Sequence, residues 1–228
     1  MVNGSEAAKI AALSDALDYG EEGLHLILQA VKNETKRVQL TAWDLLLSTA
    51  NDALKLSLKK HSPLRSDVGV DYTRLHDLLS TGNWKEADQE TSQILCKLAG
   101  REKQGYLDTY DYGKFPDTDL ITINQLWLHY SNGRFGFSVQ RQIWMECGGQ
   151  PGVYDWPVYE RLGDRVGWRQ EGQWLHRAEG NPRDFELTFN ISAPTGHLPF
   201  TQPLGLVGKG TWRVVICSLL SHRSHCFL

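Results

Sequence analysis

The sequence predicts an all-α protein, with a small N-terminal helical domain followed by an all-α core that carries long aromatic loops. Three observations carry that expectation. Apolar residues recur at spacings of three and four from Ile10 to Val166, the period of one helix face. Strand-like alternation between helices, the mark of a parallel sheet, does not occur, and neither does a phosphate loop. The chain also changes character along its length: seven of its eight tryptophans follow Asn83, and that part is richer in Gly and Pro than the aliphatic first third.

Residues 1–62 read as the first domain. Over 7–19, Ile10, Leu13 and Leu17 form one stripe, and Gly20 suits a helix end. Leu24, Ile27, Leu28 and Val31 mark a second helix, and Val38, Ala42, Leu45 and Leu46 a third over about 34–47. A fourth, with Ala53, Leu54 and Leu58, is expected to end before His61-Ser62-Pro63, because proline blocks continuation. Short helix pairs with aliphatic seams are HEAT-like. Such units run to roughly 40 residues and need about three copies to stand alone, so this domain is expected to dock on the remainder of the chain. "PLRSDVGVD", residues 63–71, reads as a linker.

The core is expected over 72–200. Tyr72, Leu75, Leu78 and Leu79 begin it, and after Thr81-Gly82-Asn83 an amphipathic helix runs through Trp84, Ala87, Thr91, Ile94, Leu95 and Leu98 to Gly100. A loop without periodicity comes next. Asp119 or Thr118 is then expected to cap a helix that uses Leu120, Ile123, Trp127 and Tyr130 and stops at Ser131-Asn132-Gly133. The next helix begins near Phe137 and takes Val139, Ile143, Trp144 and Cys147 to Gly148-Gly149. Another starts at Asp155 with Pro157 in its first turn and continues through Tyr159, Leu162 and Val166. Beyond Gly167 the chain reads as loop, with only "TWRVVICSLL" able to form a strand or a last short helix.

Composition narrows the function. A net charge of −3 gives no basic stripe for nucleic acid. The opening residues lack a basic segment followed by an apolar run, so no signal peptide is expected, and the longest apolar stretch, near 212–220, is too short to span a bilayer. A cytoplasmic protein is expected, with peripheral membrane association left open. Four scattered cysteines suit a reducing compartment. The nucleophile, zinc-protease, P-loop and dinucleotide motifs are all missing, and no catalytic residue is expected. Cys217, His222, His225 and Cys226 are zinc-competent types, but two are adjacent, unlike the spaced ligand pairs of structural sites. They read as an exposed tail, and no metal site is expected.

Two aperiodic loops, 101–118 and 131–137, flank one helix. The first holds Tyr106, Tyr110, Tyr112 and Phe115 with Arg101 and Lys103 beside it; the second holds Phe135 and Phe137 with Arg134 and Arg141. Flat rings with arginines at the margin suit a planar apolar molecule bearing carboxylates. Residue types alone favour a plainer role, in which the rings seal the domain's own core.

Longer motifs add to this. "DYTRLHDLLSTGNWKEADQETSQILCKLAGRE", "FPDTDLITINQLWLHYSNGRFGFSVQRQIW", "VGWR" and "LTFNISAPTGHLP" resemble, in order and spacing over about 68–199, the genomes-uncoupled-four family. Its members are tetrapyrrole-binding regulators of magnesium chelatase in oxygenic phototrophs, and the N-terminal helices look like the small domain of its cyanobacterial members. The resemblance implies an all-α "cupped hand" whose greasy face binds protoporphyrin IX and, with preference, magnesium protoporphyrin IX, without catalysis and without a protein ligand to the magnesium. It also implies the porphyrin-binding subunit of magnesium chelatase as partner, and hence a role in chlorophyll biosynthesis and photosynthesis. Carried onto this chain, the ligand-binding set is Leu107, Tyr112, Phe115, Trp127, Arg134, Phe137, Arg141, Trp144 and Leu198.

The chain departs from the pattern in two places. After "GHLP" the family continues with a segment like "LxNQLRGV" whose arginine meets the ligand, whereas residues 201–228 are divergent and Gly205 stands in that position. In the first loop Thr109 replaces an aromatic residue and Asp108 adds a negative charge. These changes open an alternative reading: a divergent paralogue that uses the same fold as a protein-interaction adaptor and binds no tetrapyrrole.

Overall fold

Helix-period patterning dominates the molecule as expected. In the computed structural model the described residues are 5–49, 62–107, 111–153, 155–175 and 187–200, with Tyr112 described by its backbone alone. They are mostly helical and belong to two compact units, Met1–Arg65 and Ser66–Leu228.

In the first unit α1 spans Glu6–Ala16, α2 Gly20–Asn33 and α3 Lys36–Thr49, and a 3-10 turn joins α1 to α2 at Leu17–Tyr19. Ser5 starts α1, its side chain accepting from the Ala8 amide at 3.3 Å. The expected stripes meet: Leu13, Ile27, Val31, Val38, Ala42 and Leu46 are buried together, and Trp43 joins them. Close approach is set by Gly23, where a Cβ would sit 1.7 Å from the Ala16 carbonyl oxygen. The expected fourth helix through Ala53 and Leu58 lies outside the described residues.

In the second unit α4 spans Thr73–Ser80, α5 Trp84–Leu98, α6 Asp117–Tyr130, α7 Phe137–Glu146 and α8 Trp156–Arg165. Asp155 caps α8 as expected, its carboxylate accepting from the Val158 amide at 3.3 Å.

Three expectations need correction. Part of the supposed linker is folded into this unit, since Ser66 and Asp67 are bonded to Asp119 and Val70 is buried. Neither Thr118 nor Asp119 caps α6, which begins at Asp117 after Pro116 and has no side-chain cap. Asp119 lies inside the first turn, fully buried, and accepts from Ser66 Oγ at 2.5 Å, the Asp67 amide at 3.0 Å and the Tyr72 hydroxyl at 2.8 Å. Donors from a segment some fifty residues upstream turned it inward. Burial and that bond push the Tyr72 phenol well above its ordinary pKa. Finally, a two-stranded antiparallel hairpin comes after α8 where loop was expected, β1 Arg169–Gln170 pairing with β2 Gln173–Trp174. Its turn puts Glu171 and Gly172 at φ 50° and 77°, the conformation that matches strand twist.

Candidate ligand-binding site

The two aromatic loops flank α6 as expected, and the second proves to be half of a clasp. Helix α6 ends when the Gly133 amide donates to the Leu128 carbonyl at 2.8 Å, with Asn132 at φ 52°. Ser131 Oγ then donates to the Trp127 carbonyl at 2.6 Å and accepts from the Phe135 amide at 2.8 Å, knotting the turn. Gly136 sits at φ 132°, and a Cβ there would lie 2.9 Å from Asn124 Oδ1. That same oxygen accepts from the Ser138 amide at 2.9 Å and starts α7. Phe135 and Phe137 are both sealed from solvent.

The other half of the clasp is residues 190–200. The Gly196 amide donates to the Arg134 carbonyl at 2.8 Å and the Gly136 amide to the Leu198 carbonyl at 3.0 Å. Arg134 Nη2 donates to the Ala193 carbonyl at 2.7 Å, and Gln140 Nε2 reaches the Gly196 and Pro199 carbonyls at 3.1 and 2.8 Å. Trp168 Nε1 holds the His197 carbonyl at 2.7 Å, and Asp88, on α5, accepts from the Phe200 amide. An irregular segment without apolar periodicity is thus fixed through its backbone groups, matched to donors and acceptors on the first half, on Trp168 and on α5.

His197 is the imidazole of this clasp. Its Nδ1 lies 2.7 Å from the Val166 carbonyl and its Nε2 accepts from the Thr188 amide at 3.2 Å. A carbonyl only accepts and an amide N–H only donates, so the ring is neutral with its proton on Nδ1. Burial holds its pKa below the usual 6.5, and the Val166 bond opposes this in part. The unfolded chain therefore takes up a proton that the folded one resists. Stability contributed here is complete above about pH 6.5 and falls as pH drops towards the folded value, by up to ~1.4 kcal/mol per pH unit. The expected result is a thermal midpoint that declines below pH 6.5 and a shallower decline for His197→Gln; parallel pH profiles for the two proteins would contradict it.

In the first loop, Asp111 is buried and takes Arg101 Nε at 2.8 Å and Lys114 Nζ at 2.7 Å. Two cations of that loop thus serve its own fold. Burial, with Asp111 adding to it, pushes the Cys96 thiol up to about 11, so no thiolate nucleophile exists there near neutral pH.

The candidate residues fall into distinct environments. Leu107, Phe115, Trp127, Phe137, Trp144 and Leu198 are all buried, inside the unit and not on an open surface. Trp127 Nε1 donates to Thr91 Oγ1 at 3.0 Å, deep between α5 and α6. Arg134 and Arg141 are half-buried; the first is engaged in the clasp. The Tyr112 side chain, Asp108, Thr109 and the Cys217–Cys226 group lie outside the described residues. Among the described residues no His, Cys, Asp and Glu cluster could hold a metal ion, and no helix is long and apolar enough to cross a membrane. Sequence reasoning missed Gln140, Asn124 and His197, whose roles come from bonds to backbone groups that leave no periodic signal.

Residues 65–220 match the family described as GUN4-like. The chain belongs to that family. It is 31% identical to a Ycf53-like protein of Synechocystis sp., covering 88% of this chain and 85% of that one. It is 32% identical to the chloroplastic tetrapyrrole-binding protein of Arabidopsis thaliana, over 65% of this chain and 52% of that protein. GUN4 from Chlamydomonas reinhardtii superposes with a TM-score of 0.55 at 27% identity, covering 74% of this chain and 98% of the other. The ligand-free structure of Arabidopsis GUN4 gives 0.52 at 26% identity, covering 70% and 99%. The all-α GUN4-like fold expected from the motifs is the one observed.

Proposed function

We propose that this GUN4-like protein is a non-enzymatic tetrapyrrole-binding regulator that takes protoporphyrin IX or magnesium protoporphyrin IX and acts on magnesium chelatase through its porphyrin-binding subunit. The observation that carries the reading is the family match over residues 65–220, in which the Arabidopsis relative is named for tetrapyrrole binding. The ligand would lie over the loop 101–116 and the segment 187–200. Leu107, Phe115, Trp127, Phe137, Trp144 and Leu198 would stiffen the floor beneath it, Tyr112 would join the ligand set, and Arg134 would stand at the margin. A large planar ligand gains most from a surface that does not need to be reordered on binding, and the clasp supplies that rigidity.

One observation favours the adaptor reading instead. Asp111 already occupies Arg101 and Lys114, leaving the first loop fewer cations for propionate groups. Titration of magnesium protoporphyrin IX into the full chain, followed by quenching of its eight tryptophans, separates the two. Saturable quenching at about one pigment per chain, with affinity on the order of micromolar or tighter, is the expected result. Quenching no greater than for an unrelated tryptophan-rich protein would leave the adaptor role.

A further inference from the structure

Helix α7 has two faces with different partners. Phe137, Gln140 and Trp144, at i, i+3 and i+7, are buried, and Gln140 holds the clasp. Ser138, Arg141, Gln142 and Met145 leave the opposite side of the helix. There they line a groove of about 500 Å³ with Leu128 at the end of α6 and Val139, a size within the range of small-molecule clefts.

The chemistry of that groove is lopsided. Leu128 and Val139 are half-buried in its wall, and Met145 is 45% exposed, a flexible apolar side chain that adapts to its cover. The one carboxylate among its described lining residues, Glu146, is taken by Arg165 Nη2 at 2.7 Å and by Gln142 Nε2 at 3.2 Å. Those bonds hold its carboxyl below the usual carboxylate range. Arg141 has no such partner among the described residues: its Nε is shut off from solvent and makes no hydrogen bond. A buried guanidinium nitrogen without an acceptor, beside apolar walls, is the complement of a carboxylate on an apolar body.

We propose that this groove is a second ligand site, separate from the face over loop 101–116, and that it takes an apolar small molecule bearing one carboxylate. Arg141 meets the carboxylate, and Leu128, Val139 and Met145 cover the body. Arg141 therefore leaves the tetrapyrrole set into which the sequence motifs put it. The inference does not depend on pigment binding and survives its failure.

The probe is pyrene-1-butyrate, followed by its emission, with neutral pyrene-1-methanol as the uncharged control. Saturable binding of the carboxylate by the full chain is expected, weakened about tenfold or more in Arg141→Met, while the methanol probe binds both proteins alike. Met145→Glu, which puts a negative charge on the apolar wall, should weaken the carboxylate probe too. Arg141 is half-buried and Met145 exposed, and unchanged thermal midpoints would show that the variants fold. Absent binding, or equal affinity in wild type and Arg141→Met, overturns the proposal. Displacement of the probe by saturating magnesium protoporphyrin IX overturns its separateness, since the groove would then belong to the pigment surface.

Discussion

Trp127→Ala is expected to lower folding stability by about 3–5 kcal/mol, the usual cost of deleting a buried indole. The ring has no exposed surface. It faces Trp84 at 6.1 Å and Phe135, edge-on, at 6.4 Å, so alanine would leave a void where α5, α6 and the second loop meet. The indole N–H adds a bond to Thr91 Oγ1. Trp127→Phe separates the contributions. Thr91 Oγ1 keeps its own bond to the Ala87 carbonyl at 2.8 Å, so the phenylalanine variant should lose only about 1–2 kcal/mol.

The same pair of variants tests the floor reading of this residue. If Trp127 supports the pigment surface from behind, Trp127→Phe should leave magnesium protoporphyrin affinity within about threefold of wild type, less than 1 kcal/mol. Urea unfolding followed by the remaining tryptophans, and pigment titration of the phenylalanine variant, give both readings. Loss of less than 1 kcal/mol in Trp127→Ala would mean that the indole is not packed as described.

How much of this was legible in the sequence depends on the forces that hold each element. Helices with an apolar stripe were readable among the described residues: Ile27 and Val31 in α2, or Ile94 and Leu95 in α5, face inward as their spacing predicts. Period carries that information locally. The clasp was not readable. "SNGRFGFSVQ" shows where a chain turns, and Gly136 hints at crowding, but its partners are carbonyls and amides of residues 193–199, about sixty positions away. Backbone groups are the same at every residue, so composition does not betray them. The rings of that stretch invited a ligand role, yet Phe135 and Phe137 are core, the plainer reading of their type. The hairpin at 169–174 failed for another reason, because two-residue strands are too short to show alternation. At the site itself, the buried side chains of the ligand set were recognisable as important, but burial alone does not say whether they face a ligand or hold up the surface that does.

Asp119 illustrates the gap between local signal and tertiary use, and it sets the second large expectation. An acidic residue just after Pro116 looks like a helix cap; here three donors from Ser66, Asp67 and Tyr72 claim it. Asp119→Ala strands all three at once. The Tyr72 hydroxyl is itself buried, on a side chain with 1% exposure, and each unsatisfied donor costs about 1–3 kcal/mol unless water reaches it. Water can reach Ser66 and Asp67 more readily, so a loss of about 3 kcal/mol is expected for the second unit. Asp119→Asn should recover part of it, since the amide oxygen can serve one donor while its NH2 faces the others. Tyr72→Phe provides the cycle: removing the phenol O–H takes away one stranded donor, so Asp119→Ala should cost about 1 kcal/mol less in that background than in wild type. Equal costs in the two backgrounds would show that the Tyr72–Asp119 bond contributes nothing. The segment 66–72 would then be tied to Asp119 by the Ser66 and Asp67 bonds without help from the phenol.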